Sequence, residues 1–222
     1  MAYCGEHTLQ HKDQQSITAI SLRCRAWTCG DCAPDRRVQL IAKAKSGNPN
    51  RLLTLTSRRR KDQTPEDAAK ALVRSWRLIR RIIKRQNPRE RVEFLAIFEA
   101  TKLGWPHIHI LVRSEWLDHH FIRAQMARLT DSPVIDIRAI KNAKGAAHYV
   151  AKYTSKGAAK FGTLKRYWTS KSYELSKWVK PKSPHGWDRQ DFPLAQWSNM
   201  WSKFGYSITW QSAYKVLAEK PP

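Results

Sequence analysis

Two histidines one residue apart, His107-Ile108-His109, are the residues of this chain best suited to chemistry. On an extended strand, residues i and i+2 share a face. Both imidazoles would then point one way, while Ile108, Ile110 and Val112 point into a core. Neighbouring imidazoles form a ready chelate for a metal ion. Glu99 precedes His107 by a short loop's reach, so a hairpin would bring its carboxylate across to the same face. Two His and one carboxylate leave coordination positions open. An open position lets a phosphate oxygen bind and be polarised.

A second cluster follows in Tyr149-Val150-Ala151-Lys152-Tyr153-Thr154-Ser155-Lys156. In a helix, positions i, i+3, i+4 and i+7 share a face, which groups Tyr149, Lys152, Tyr153 and Lys156. Tyrosine is a poor nucleophile at its ordinary pKa of about 10. A neighbouring ammonium stabilises tyrosinate, and a polarised phosphate lowers the barrier further. The two clusters together suit attack of a tyrosine on a DNA phosphodiester, with a phosphotyrosine bond storing the energy for later reversal.

These residues need a scaffold, and the hydrophobic pattern supplies one. Leu52–Thr56 reads as a strand. Thr64-Pro65-Glu66-Asp67 is a helix start, with a capping Thr, a first-turn Pro and acids at the positive end. Leu72, Trp76, Ile79 and Ile83 follow at helical spacing, Arg74, Arg77, Arg81 and Lys84 occupy another face, and Asn87-Pro88 ends the helix. Residues 92–101 and 107–113 read as strands joined by a turn at Leu103-Gly104-Trp105-Pro106, residues 117–129 as a helix, 133–140 as a strand and 145–156 as a helix. The expected fold class is α+β: an antiparallel sheet of the split βαβ (ferredoxin- or RRM-like) type with helices on one face. An N-terminal zinc-binding segment is added to it. The expected organisation is a Cys-rich segment at 1–42, a polar linker at 43–50, a core at 51–157 and a Trp-rich basic extension at 158–222. Six of the ten Trp lie in that extension, Trp168, Trp178, Trp187, Trp197, Trp201 and Trp210, either as a small packed appendage or as a base-stacking surface.

All four cysteines lie in the first 32 residues, a clustering that reads as a metal site and not as disulfides in a cytoplasmic protein. Cys24, Cys29 and Cys32 supply three thiolates for a structural Zn²⁺, and Cys4 is the candidate fourth ligand, with His7 and His11 competing. Net charge is +23, from 41 basic against 18 acidic residues, and points to a polyanionic partner. Arg58-Arg59-Arg60-Lys61, directly after the first core strand, is the candidate phosphate-contacting run. No run of 18 apolar residues, signal peptide or lipidation cysteine argues for a membrane, so a cytoplasmic location in the host cell is expected.

The set resembles rolling-circle replication initiators of the HUH endonuclease class. Their hydrophobic-Thr strand is matched by Leu53-Thr54-Leu55-Thr56, their His-hydrophobic-His by His107-Ile108-His109 with Glu99 as the acidic ligand. Their Tyr-x-x-Lys is matched twice, at Tyr149/Lys152 and Tyr153/Lys156. The resemblance implies nicking of single-stranded or hairpin origin DNA of a phage or plasmid. It also implies a 5′-phosphotyrosine adduct, a free 3′-OH for a host polymerase, and Mg²⁺ or Mn²⁺ as catalytic metal. The doubled tyrosine is similar to the phage-type subgroup, in which two tyrosines alternate, and single-tyrosine relatives make Tyr153 the first choice of nucleophile and Tyr149 the second. No GxxxxGK[ST] motif occurs, so unwinding is expected of a host helicase. The alternatives are a transposase or relaxase of the same superfamily, or a non-catalytic, zinc-stabilised nucleic-acid binder.

Overall fold

The computed structural model of the chain describes residues 4–155, 159–174, 186–212 and 214–220. The chain divides into two compact units, one of Met1–Arg36 with Trp178–Pro222 and the other of Arg37–Lys177. Each holds a five-stranded antiparallel sheet, so the α+β class stands.

The sheet of the first unit is made by β1 (Thr8–Lys12) and β2 (Ser16–Ser21) from one end of the chain and β8 (Trp187–Gln190), β9 (Ser207–Gln211) and β10 (Lys215–Glu219) from the other. Its strand order is β8-β1-β2-β10-β9. Alternation along the strands buries Ile17, Ala19, Val216 and Ala218 on one face, where α5 (Ala195–Lys203) lays Trp197 and Trp201 against them. Two of the tail tryptophans are therefore core, 1% and 2% exposed, and the indole N–H of Trp197 donates to the Thr8 hydroxyl at 2.8 Å. Trp168 packs partly buried on the other unit's core, while Trp210 is half exposed. Trp178 lies outside the described residues.

Most of α1 (Cys32–Ser46) belongs to the second unit, together with β3 (Arg51–Thr56), α2 (Pro65–Gln86), β4 (Glu93–Ala100), β5 (Pro106–Arg113), α3 (His119–Thr130), β6 (Ile135–Ala139), α4 (Ala143–Ser155) and β7 (Tyr167–Thr169). From β3 to α4 the order is the expected β-α-β-β-α-β and then a helix. The sheet order β6-β3-β5-β4-β7 sets β3 between β5 and β6. Thr64 caps α2 as its hydroxyl accepts from the Asp67 N–H at 3.1 Å, Pro65 starts the helix and Asn87 ends it. Gly104 takes a positive φ of 79° in the turn between β4 and β5, a conformation open to glycine without a Cβ penalty. Leu53, Leu55, Phe94, Ala96, Phe98, Ile108, Ile110 and Val112 bury one sheet face against Leu72, Trp76 and Ile79 of α2 and Ile122 and Met126 of α3. Ala146 and Val150 of α4 are also fully buried but lie outside that cluster.

One expectation is corrected. Residues 43–46 are not linker but the last turn of α1, and only Gly47–Asn50 connect it to β3. Lys, Ala and Ser are polar or small enough to pass for a linker, yet Lys and Ala are good helix formers. The tertiary structure holds them: the Tyr173 hydroxyl donates to the Ala44 carbonyl at 3.0 Å, and Lys43 pairs with Glu174.

Candidate functional site

The two-residue periods of β3, β4 and β5 turn the polar residues of all three strands to one side. In the ladder Thr56 stands opposite His107 and Thr54 opposite His109, while Glu99 stands opposite His107 on the other flank. These positions alternate with Leu53, Leu55, Ile108 and Ile110, which face the α2–α3 core. The His-x-His pair, the carboxylate and the Thr-x-Thr pair therefore share the other sheet face.

The imidazoles lie nearly parallel, with ring centroids 6.3 Å apart and 15° between planes. Each is held by a threonine: Thr54 Oγ1 is 3.1 Å from His109 Nδ1, and Thr56 Oγ1 is 3.1 Å from His107 Nδ1. Both rings thus engage a hydroxyl through Nδ1. The His109 Nε2 meets Glu99 Oε2 at 2.6 Å, in a setting where the His109 side chain is only 9% exposed. The carboxylate reaches His109 diagonally, although its ladder partner is His107.

Burial sets the charge state of the pair. It pushes His109 down to about 4, against the hydrogen bond and the charge of Glu99, which work the other way, and with help from the charges of His107 and Lys152. Burial also holds His107 below its ordinary value, opposed by Glu99. At neutral pH both rings are uncharged, the state in which imidazole ligates metals. The influence of Lys152 on His109 also ties α4 to this face electrostatically.

The other predicted residues distribute as follows. Tyr149 is half-buried on α4, Lys152 is exposed, and Tyr153 stands one turn beyond Tyr149 on the same helix. The side chain of Tyr153 and all of Lys156 lie outside the described residues. Arg58, Arg59, Arg60 and Lys61 are exposed and leave β3 directly after Thr56, at the end of the sheet where His107 stands. Thr54 and Thr56 were visible only as part of a motif; their role as imidazole partners depends on the register of β3 against β5. A Thr-x-Thr strand beside a His-x-His strand is the signal that points to it.

The cysteines gather in the other unit. Cys4, Cys24, Cys29 and Cys32 are free thiols whose sulfurs all lie within 4.8 Å of one another, and they could hold a metal ion. The Cys4–Cys32 and Cys24–Cys32 sulfurs are 3.3 and 3.8 Å apart. A tetrahedral Zn²⁺ with Zn–S of about 2.3 Å places its sulfurs roughly 3.8 Å apart, so the donor set fits that ion. The backbone at Cys32 draws the Cys29 thiol down to about 7. Cys4 rises to about 12: the backbone at Cys24 lowers it, but burial and the three neighbouring thiols together outweigh that pull. Among the described residues, no other set of three or more His, Cys, Asp or Glu draws its ligand atoms this close. Glu99, His107 and His109 share a face and two of them touch, but they do not close as the cysteines do.

Residues 50–158, nearly half of the chain, match the model of a family described as Replication-associated protein ORF2. The match begins just before β3 and runs past the end of α4, so it takes in every element that carries the His, Glu, Thr, Tyr and Lys residues of the site. No curated protein and no solved structure matches the chain.

Proposed function

We propose that the protein is a replication initiator that nicks single-stranded origin DNA by tyrosine transesterification and later rejoins it. The family match over residues 50–158 supports a replication initiator. The observation that carries the chemistry is the juxtaposition on one sheet face of neutral His107 and His109, each held through Nδ1 by a threonine, with Glu99, under the charge of Lys152 on α4. Two imidazoles presenting Nε2 and one carboxylate form a donor set for a divalent cation such as Mg²⁺ or Mn²⁺, which when bound supplies polarisation of a phosphate oxygen.

The chain's own groups do the rest. Thr54 and Thr56 fix the ring orientations, and a proton on each Nδ1, donated to threonine, directs Nε2 outward as the ligating atom. Lys152 favours tyrosinate over the neutral phenol. The nucleophilic Tyr Oη, Tyr153 first and Tyr149 second, forms the new P–O bond while the bond from phosphorus to the 3′ oxygen breaks. That oxygen takes up a proton and leaves as a free 3′-OH, and the 5′ phosphate stays on the enzyme. Attack by a 3′-OH on the phosphotyrosine reverses the step, and two tyrosines on one helix face permit alternate cleavage and rejoining. Arg58–Lys61 contact the phosphates of the strand next to the cut. The four cysteines hold a structural Zn²⁺. Single-stranded or hairpin origin DNA is the substrate, with a host helicase and polymerase extending the released end. No helix of the described residues is long and apolar enough to cross a membrane. A host-cytoplasmic site of action follows from this reading.

The test is to mix the protein with single-stranded origin DNA and Mn²⁺ or EDTA and run denaturing gels. A protein band shifted by covalent DNA, dependent on metal and absent from the Tyr149→Phe/Tyr153→Phe variant, is the expected result. Tight binding of intact DNA without cutting, across several origins and hairpins, overturns the enzyme reading in favour of a zinc-stabilised binder.

A further inference from the structure

The α2 helix carries a feature that the cutting chemistry does not use. Its inward stripe, Leu72, Trp76 and Ile79, is fully buried. On its outward side Arg74, Arg77, Arg81, Lys84 and Arg85 are all exposed. At 100° per residue they fall within one arc opposite the buried stripe. The helix has no acid after Glu66 and Asp67 in its first turn. No hydrogen bond or ion pair to another described residue engages any of the five. At its C-terminal end the ridge opens into a cleft lined by Arg80, Lys84, Arg89, Arg91 and Ser172. The two acids there are already engaged: Glu90 accepts from the Glu115 N–H at 2.8 Å and Glu93 from the Ser170 hydroxyl. Like charges massed this way work against one another, and at the negative end of a helix dipole. That cost is tolerated most simply if an anion answers it.

We propose that the outward face of α2 and the cleft at its end bind the phosphate backbone of duplex DNA, as a second nucleic-acid surface separate from the cutting site. The separation follows from the fold. The ridge covers the sheet face opposite the His pair, about 15–20 Å away through a helix and a sheet. The cleft lies near Glu93, at the far end of the β4–β5 ladder from Glu99, six residues or about 20 Å along the strand. A single phosphate cannot span these distances, so DNA held at both places must pass around the edge of the unit.

Duplex is favoured over unpaired DNA because the ridge has no aromatic group for bases to stack on. Its one Trp, Trp76, is fully buried. From Arg74 to Lys84 the charges extend about 15 Å at intervals of 4–6 Å, close to the phosphate spacing along one strand of a duplex. An anionic membrane is disfavoured because the apolar side of α2 is spent on the core, leaving nothing to insert. The inference extends the initiator reading to the paired DNA flanking the cut, but it does not depend on the tyrosine chemistry.

The experiment measures binding by fluorescence anisotropy across a salt series, without divalent metal, so that no cleavage is involved. The probes are a fully paired duplex and a short unpaired oligonucleotide. The variant is R74Q/R77Q/R81Q/K84Q. Its control, K12Q/R123Q/K160Q/K203Q, makes the same change in net charge at exposed positions elsewhere. For the ridge variant we expect duplex affinity to fall about 100-fold at low salt. The slope of log K against log salt should decrease by about 3–4, as neutralising four contacts implies. Binding of the unpaired oligonucleotide should change by less than about threefold, and the control should match the parent. Replacing the three arginines by lysine, with Lys84 kept, should restore duplex binding and excludes misfolding as the cause. Unchanged duplex affinity and slope, or equal losses with ridge and control variants, would overturn the proposal. So would a loss confined to phosphatidylserine vesicles. Failure of the cutting assay alongside a ridge-dependent duplex slope would sink the initiator chemistry and leave this surface standing.

Discussion

The two units of the chain solve the same problem, a five-stranded antiparallel sheet, with very different means. The unit of Arg37–Lys177 buries a continuous cluster from Leu53 to Phe161 that includes Trp76, Phe94, Phe98 and Met126, with helices laid across the sheet. The unit of the two chain ends buries only Ile17, Ala19, Leu194, Trp197, Trp201, Val216 and Ala218. So small a core rarely supplies enough burial by itself, and small domains in that position commonly add a metal or disulfides. The four cysteines are in this unit and not in the larger one. One unit therefore rests on hydrophobic burial and keeps its polar face for chemistry. The other rests partly on a metal site.

Chelation puts the heaviest demand on this contrast. Structural Zn²⁺ in small domains contributes on the order of 10 kcal/mol. Stripping zinc, or substituting Cys24→Ser, should therefore expose the end segments to limited proteolysis while the fragment containing residues 50–158 survives. Simultaneous loss of both units would refute the division. Next in size, Tyr149→Phe/Tyr153→Phe should lower adduct formation by about 10⁴-fold with the thermal midpoint unchanged, as removal of a nucleophile does. A parallel fall in stability would mean the tyrosines act as packing. Trp76→Ala should cost about 3–5 kcal/mol in denaturant unfolding of the larger unit, since a fully buried indole leaves a cavity; zinc content should not change.

Smaller effects concern the site itself. Thr54→Val keeps the shape and removes the Nδ1 partner of His109. It should weaken catalytic-metal affinity by about 10–100-fold with little loss of fold, measured by Mn²⁺ titration of the cutting reaction. The last expectation concerns pH. The folded value of His109, about 4, lies below the ordinary 6.5, so between these pH values the folded chain binds fewer protons than the unfolded one. The metal-free protein should hold this contribution above pH 6.5 and lose it as the pH falls toward 4. Urea midpoints at pH 7 and pH 4.5 should differ less for His109→Gln than for the parent.

Much of the larger unit was legible in the residues because its signals are local. Thr64-Pro65 and Asn87-Pro88 bracket a helix whose apolar spacing repeats for six turns, and Gly104 marks the turn between two apolar strands. The first unit was not legible in this way. β1 and β2 are short, carry Thr, Gln, His and Ser, and pair with strands nearly two hundred residues away. No local pattern encodes such a partner. The last turn of α1 escaped for a related reason, since Lys43 and Ala44 are held by Glu174 and Tyr173 from far along the chain.

The order of amino acids alone carried the candidate chemistry: a His-x-His strand with an acid upstream, a doubled Tyr-x-x-Lys, four clustered cysteines and a large positive charge. Period and spacing put those groups on shared faces, because strand and helix geometry are nearly invariant. Which groups meet was left to the pairing of strands. Register set Thr54 and Thr56 against the two imidazoles and sent Glu99 to His109. Burial at that face made both rings neutral. The folding of distant chain ends into one sheet gave Cys4 its place beside Cys32. Each of these depends on residues far apart in the chain, and distances between such residues exist only once the strands have paired.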